Sequence, residues 1–414
     1  MKAPHHRKVA IVGGGAAGFF AALRLAALRP QAEVHIFEKS NKLLSKVKVS
    51  GGGRCNVTHA CFDPRELVNY YPRGQKQLRG PFSRFSPADT VSWFEERGLQ
   101  LKTEADGRMF PVSDSSQSII DLFLEEAKKY KVRIHTSKAL TGLERAGDHW
   151  KLRFNEDESM EAAQVMLAAG SSEKIWSILA GMGLKIVAPV PSLFTFHIRD
   201  KALQGLSGTS VDQVDLQWAG TTFKTQGPLL FTHWGISGPS VLKLSAWAAR
   251  DLHDVQYTFL LRINFIPGMD RTSLHDTLSA MRKTYSRKQL ASFSPFPGIT
   301  KRLWMYLLAR AGITETLNWA DLSKKALIAL ENELMEGQYP VVGKSTFKDE
   351  FVTCGGVDLS EIDFKTYGAK ALPGLFFGGE LIDVDALTGG FNFQHAWTSA
   401  WIAAGSMAEG LPVT

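Results

Sequence analysis

The stretch KVAIVGGGAAGFFAALRLAALRP, Lys8–Pro30, followed by EVHIFE, Glu33–Glu38, constrains this chain more than any other part of it. The short β-branched run Lys8–Val12 reads as a strand buried in a parallel sheet. GGGAAG turns the chain, and the alanine- and leucine-rich segment behind it reads as a helix that Pro30 follows. Glu33–Phe37 is a second strand that ends in an acid. Gly13-x-Gly15-x-x-Gly18 between strand and helix, with Glu38 about twenty residues on, is the dinucleotide-binding fingerprint. Gly13 permits the tight turn, Gly15 lets backbone N–H groups approach a pyrophosphate, and Gly18 lets the helix pack closely on the sheet. The helix N-terminus brings partial positive charge to the phosphates. Glu38 is placed to accept hydrogen bonds from a ribose.

Further glycine-edged segments extend this reading. After Lys42–Val49 comes SGGGRCN, Ser50–Asn56, where a nicotinamide enzyme would continue with its nucleotide-binding half. In flavoproteins with two dinucleotide folds, the segment after the ribose acid runs along the pyrophosphate toward the flavin. Strands are expected at Arg133–His135, Trp150–Phe154 and Ala162–Ala169, the last ending in Ala168, Ala169 and Gly170 before a helix from about Glu173. Near the C-terminus, LFFGG (Leu375–Gly379) is an apolar strand running into paired glycines, Glu380 and Asp383. GGFNFQHAWTSAWIAAG, Gly389–Gly405, then reads as a turn, an N-cap at Asn392 and a helix ending near Gly405. Asp383 suits ribityl hydroxyls, and the helix start suits the N1–C2=O edge of a flavin. These segments together argue for one FAD-binding domain assembled from distant parts of the chain.

On VAIVGGGAAG (Val9–Gly18), KVKVSGGGRCNVTH (Lys46–His59), LLFTHWGISGPSVLKLS (Leu229–Ser245), VTCGGVDLSEID (Val352–Asp363) and PGLFFGGELIDVDALTGGFNFQHAW (Pro373–Trp397), the chain resembles the YhiN/BaiN-like bacterial flavoproteins, a group that includes aminoacetone oxidase-like proteins. The resemblance implies an α/β fold: a Rossmann-like FAD domain of the two-dinucleotide-binding type, interrupted by an inserted β-rich domain and a small helical subdomain. It also implies noncovalent FAD, and it leaves the substrate open because the family's activities differ. The expected divisions are 1–190 with 345–414 for the FAD domain, 191–268 for the β-rich insert and 269–344 for the helical subdomain. The expected cofactor contacts are Gly13, Gly15, Ala16, Ala17, Gly18, Glu38, Lys39, Lys46, Ser50, Gly51, Gly52, Arg54, Asn56, Ala169, Gly170, Gly379, Glu380, Asp383, Gly389, Gly390, Phe391 and Asn392.

Between about Pro191 and Val342 no dinucleotide fingerprint recurs. Leu193–Ile198, Ser210–Trp218, Thr221–Thr225 and Gln256–Asn264 read as strands, and Gly235, Gly238 and Pro239 as a turn into a helix with Pro239 at its first position. That helix start suits either a structural joint or an anion, and the joint is the preferred reading. Thr272–Glu336 reads as amphipathic helices packed over the mouth of the site, and Phe347–Gly356 returns the chain to the FAD domain.

The flavin would carry the redox chemistry, with the protein supplying orientation and electrostatics. Acid/base candidates are His395, Cys55 and His233, and each has a structural alternative: a residue after a helix cap, a small buried residue, a hydrogen-bond donor in a turn. No Ser-His-Asp or two-carboxylate constellation is present, and no redox C-x-x-C. The absence of a second fingerprint leaves NAD(P)H as a candidate co-substrate that would bind without a fold of its own. Cys55, Cys61 and Cys354 are sparse and wrongly spaced for a zinc site, so no metal is expected, and they suit a reducing cytoplasm. No apolar run approaches the roughly 20 residues of a membrane span. The net charge of +7 would suit an anionic cofactor or nucleic acid, but the basic residues are scattered along the sequence, so RNA ranks below a small molecule. Three readings stay open: an FAD oxidoreductase of a small organic substrate (an NAD(P)H-driven C=C or C=O reductase, or an amine oxidase using O2), a flavin-dependent RNA-modifying protein, and a redox-sensing flavoprotein. Oligomeric state is not readable.

Overall fold

In a computed structural model describing residues 7–345 and 352–412, the chain forms two units, one from the segments on either side of residues 191–351 and the other from 191–351 itself. The first is built on a parallel sheet. Strand β1 (Lys8–Val12) leads through the glycine turn into helix α1 (Ala16–Leu28), then β2 (Glu33–Phe37), β3 (Arg133–His135), β4 (Gln164–Leu167) and β5 (Leu375–Phe377). The spatial order is β5-β4-β1-β2-β3, every neighbouring pair parallel, with the short antiparallel strands Gly368–Ala369 and Ile362–Asp363 beyond β5. The order reverses between β1 and β4, and in such open sheets ligands bind beyond the strand ends at that point.

Sterics explain why this turn is glycine-rich. Gly13 has φ +118°, and a Cβ on it would lie 2.3 Å from the Ala168 carbonyl oxygen at the end of β4. A Cβ on Gly18 would lie 1.9 Å from the Gly13 oxygen. A Cβ on Gly15 would meet nothing within 4 Å, so that position is open rather than crowded. Helix α1 packs lengthwise on the closing helix α2 (Phe391–Gly410). Phe20 anchors that contact, 5.2 Å from Trp397 and 4.4 Å from Trp93 between ring centroids. An antiparallel meander (Leu140–Ala146, His149–Phe154, Ser159–Ala162) meets the sheet through Phe154, stacked 4.2 Å from Phe37.

Helix α2 departs from expectation at both ends. Its cap is Gly390, at φ +90°, and it continues past Gly405 to Gly410. Asn392 lies inside the first turn and exchanges hydrogen bonds with the backbone of Ala386 instead. A left-handed glycine cap leaves no side-chain signature, whereas asparagine does, so the sequence pointed two residues too far.

The second unit holds a closed antiparallel barrel ordered Phe196–Ile198, Gly235–Ser237, Lys224–Thr232, Ser210–Trp218, Thr258–Asn264 and Gly337–Lys344. Alternation drives it: Val214 and Leu216, and Phe259, Leu261 and Ile263, point inward. Residues 221–223, expected as strand, form the turn that feeds Lys224. Pro239 opens a helix as expected (Pro239–Trp247). Helices Arg271–Thr284, Lys301–Arg310 and Lys324–Glu336 share one core with the barrel, Trp304, Leu307 and Leu334 belonging to the same cluster as Leu216 and Ile263. The expected return segment from Phe347 lies partly outside the described residues; from Val352 to Val357 the chain is a strand paired with Ile186–Ser192.

Gly18→Ala should lower stability by about 3 kcal/mol, the upper end of overpacking effects. Gly15→Ala meets no crowding and should cost at most about 1 kcal/mol, the difference between glycine and alanine as an N-cap. Urea unfolding of both variants beside the wild type checks the contrast.

Candidate functional site

The C-terminal ends of β1, β2, β4 and β5 bring together most of the residues singled out in the sequence. Helices α1 and α2 both begin at a glycine, Gly15 and Gly390, and neither carries a side-chain cap. Their first N–H groups are the natural anion-binding ends of each helix. Gly379, at φ +64°, lies between the helices: a Cβ on it would stand 3.3 Å from Ala17 and 3.9 Å from Ala396. Its N–H donates to Ser399 Oγ at 2.9 Å, which fixes the strand end against α2.

Two carboxylates organise the rim. Glu38 accepts from the N–H groups of Gly14 and Ser40, each at 2.9 Å, so its position is set by the turn it serves. Glu380 forms an ion pair with Lys46 and accepts from Thr353 N–H at 3.0 Å. It also lies 3.8 Å from a Cβ built on Gly170. Lys46, Gly170 and Glu380, far apart in sequence, thus meet at one place. Asp383 is half-buried in the segment after them, and Lys39 is exposed beyond β2.

The SGGG segment ends a short helix. Ser50 is extended, Gly51, Gly52 and Gly53 are all left-handed, and Gly52 and Gly53 have nothing within 4 Å of a built Cβ. Their backbone is open, but the neighbouring side chains are engaged with protein. Arg54 Nη1 donates to Glu104 at 2.6 Å, and its guanidinium lies 3.9 Å above the Phe110 ring. Asn56, oriented by its partners, donates to the carbonyls of Met109 (3.2 Å) and Thr58 (3.0 Å) and accepts from Gly390 N–H at 2.9 Å. Both were expected to contact the cofactor directly; here Asn56 joins the loop to the start of α2, and Arg54 braces it from the strand Arg108–Pro111. Their partners at 104–114 and 390 are remote in sequence, which is why the pairing was not readable.

Of the acid/base candidates, His395 is 2% exposed, and burial pushes its imidazole down to about 3. Cys55 is fully buried, and burial pushes its thiol up to about 12. Both shifts favour the neutral form of each group near neutral pH. His233 is exposed in the turn after strand Lys224–Thr232 of the second unit.

Sequence reasoning missed an aromatic cluster at the start of α2. Phe391 stacks on Tyr70 (4.1 Å) and on His59 (4.6 Å). His59 Nε2 lies 3.0 Å from the Asp106 carbonyl, which makes that nitrogen the donor and leaves Nδ1 the acceptor. Nδ1 is buried without a hydrogen-bond partner. Arg73, three residues after Tyr70, forms an ion pair with the fully buried Asp385. The signal was present in NVTH and VNYYPR, but nothing local ties them to residue 391.

This arrangement fits FAD. Uncapped helix starts, an open Gly15, a turn-anchored acid and open glycine backbone at Gly52–Gly53 are suited to a phosphate-bearing cofactor with an extended polar tail.

The comparisons agree with the geometry. A ribosomal RNA dihydrouridine synthase of Escherichia coli (strain K12) is 29% identical over 95% of this chain and 96% of its own. A 3-dehydro-bile acid delta(4,6)-reductase of Clostridium scindens is 25% identical over 97% of this chain and 99% of its own. Among solved structures, the 3-ketosteroid delta1-dehydrogenase of Sterolibacterium denitrificans shares the fold with a TM-score of 0.51 at 13% identity, covering 97% of this chain and 100% of that one. The HI0933-like protein Rossmann domain matches residues 7–406, and the chain belongs to that family as an FAD-dependent oxidoreductase.

Proposed function

We propose that the protein is a reductase that saturates a carbon–carbon double bond conjugated with a carbonyl, and that its substrate is a uracil base in ribosomal RNA. The observation that carries this reading is chemical agreement between two relatives matched over nearly their whole lengths. One is named for forming dihydrouridine and the other for reducing a delta(4,6) system. Both names describe the addition of two hydrogens across a C=C bond activated by a carbonyl.

When bound, FAD supplies hydride chemistry. The reaction needs one hydride on the double bond, one proton on the adjacent carbon, and a reduced nicotinamide nucleotide, oxidised in turn, as the hydride source. In this chain Gly13–Gly18 and the first turn of α1 would hold the pyrophosphate, and Glu38 the ribose. Ala169, Gly170, Glu380, Asp383 and the Gly389–Asn392 turn would line the rest of the cofactor. Arg54 and Asn56 would act from behind by fixing the loop. Tyr70, stacked on Phe391, is the group at the α2 start that would hold and release the proton.

The test is anaerobic incubation of the purified yellow protein with NADH or NADPH and ribosomal RNA lacking dihydrouridine. The expected outcome is bleaching of the flavin by one nucleotide and a two-hydrogen mass gain on a uridine. A yellow protein that forms no dihydrouridine overturns the substrate, and a colourless protein that takes up no FAD overturns the cofactor sites. Gly15→Ala should lose FAD while keeping its fold, seen as a lower flavin absorbance per protein at a melting midpoint close to that of the FAD-free wild type.

Acid stability should report on His395. Its folded-state pKa lies below the ordinary value of 6.5, so the unfolded chain binds a proton there that the folded chain refuses. Stability from this group is full above 6.5 and falls as pH drops toward about 3. His395→Gln should flatten that part of the melting-midpoint profile.

A further inference from the structure

We propose that an open groove on the barrel unit is a seat for the RNA phosphate backbone, with Lys224, Lys243 and Arg262 as its phosphate contacts and Trp247 as a stacking surface for a base. The proposal rests on the reading of an RNA substrate given above, and it names a surface that the reaction itself does not require.

The groove encloses about 710 Å³ and is lined by three neighbouring strands and two helix ends of the second unit. Strand register sets its cations side by side. Gln217 is paired with Lys224 on one side and with Arg262 on the other, so the three side chains form a row across the sheet. Lys243 and Trp247, four residues apart on the helix Pro239–Trp247, line the same groove.

The charges there are unequally engaged. Asp215 accepts from Gln226 at 2.7 Å, and Glu336 lies 3.5 Å from Arg271, so both carboxylates of the groove have partners. Lys224, Lys243 and Arg262 have no acidic partner among the described residues. The Nε of Arg262 is shielded from water and has no hydrogen-bond partner. With no acid beside it, the Arg262 guanidinium keeps its charge available to a phosphate at the groove surface. Trp247 is 38% exposed, a large apolar face left open beside these cations. Cations along a groove with an aromatic platform are the recurring means of holding a single strand. An acidic protein would match the charge but has no use for the flat indole face, so RNA is the better complement.

The test is a fluorescence-anisotropy titration of labelled oligouridylate with the FAD-loaded full chain over a series of KCl concentrations. Each phosphate neutralised on a single strand contributes about 0.7 to the slope of log K against log salt. The triple variant K224Q/K243Q/R262Q should reduce that slope by about 2 and weaken binding roughly tenfold or more. The conservative K224R/K243R should retain both. If the triple variant loses its flavin, Lys243→Gln alone should still lower the slope by about 0.7.

A triple variant with unchanged flavin absorbance and melting midpoint that binds like the wild type overturns the groove. So does a wild type that binds no oligouridylate, and if it still forms dihydrouridine the reductase reading stands. Salt-dependent binding lost in the triple variant, with no dihydrouridine formed by the wild type, supports the groove and overturns the substrate reading instead.

Discussion

At the end of β1 the Gly13 carbonyl faces Gly18 so closely that a methyl group there would sit 1.9 Å from its oxygen. On the other side Gly13 faces the Ala168 carbonyl with the same lack of room. These backbone contacts bring β1, β4 and α1 together without side chains between them. The reversal of strand order therefore becomes a crevice floored by main-chain groups. Everything placed around it, from the Glu38 anchor to the Gly379 wedge between two helices, takes its position from that approach.

A second constraint is electrostatic. A glycine cap brings no side chain of its own to the first N–H groups of a helix, and this chain sets two such helix starts, at Gly15 and Gly390, in one unit. Asn56 orders the second by accepting from Gly390 N–H while its own amide donates to Met109 and Thr58. The loop that bears the three left-handed glycines is thus held at its base and open at its tip.

Local features were readable in the sequence, and remote pairings were not. The β1–α1–β2 segment follows from apolar runs, glycine spacing and a terminal acid, all within thirty residues of one another. Strands Ser210–Trp218 and Thr258–Asn264 follow from alternation alone, but barrel closure depends on Phe196–Ile198 meeting Gly337–Lys344, which no local pattern announces. For Arg54 and Asn56 residue type suggested a ligand contact, and their protein partners Glu104 and Gly390 lie too far away in sequence to be foreseen. His59 and Tyr70 were passed over for the same reason: their common neighbour is Phe391. Basic residues that looked scattered from 224 to 262 become a row once strands pair, because register rather than sequence distance decides which charges are neighbours.

The division of the sheet has a consequence for how the chain is made. Residues 191–351 are contiguous, whereas the other unit needs both flanking segments. During synthesis, at about 5–20 residues per second, the barrel unit emerges whole before β5 exists. Until Leu375–Phe377 arrives, β4 has no partner on its outer side, and Val57 and Asn56 wait for Trp397 and Gly390. The nascent chain therefore carries an unpaired apolar edge from the synthesis of β4 until Leu375–Phe377 is made, and that strand closes it.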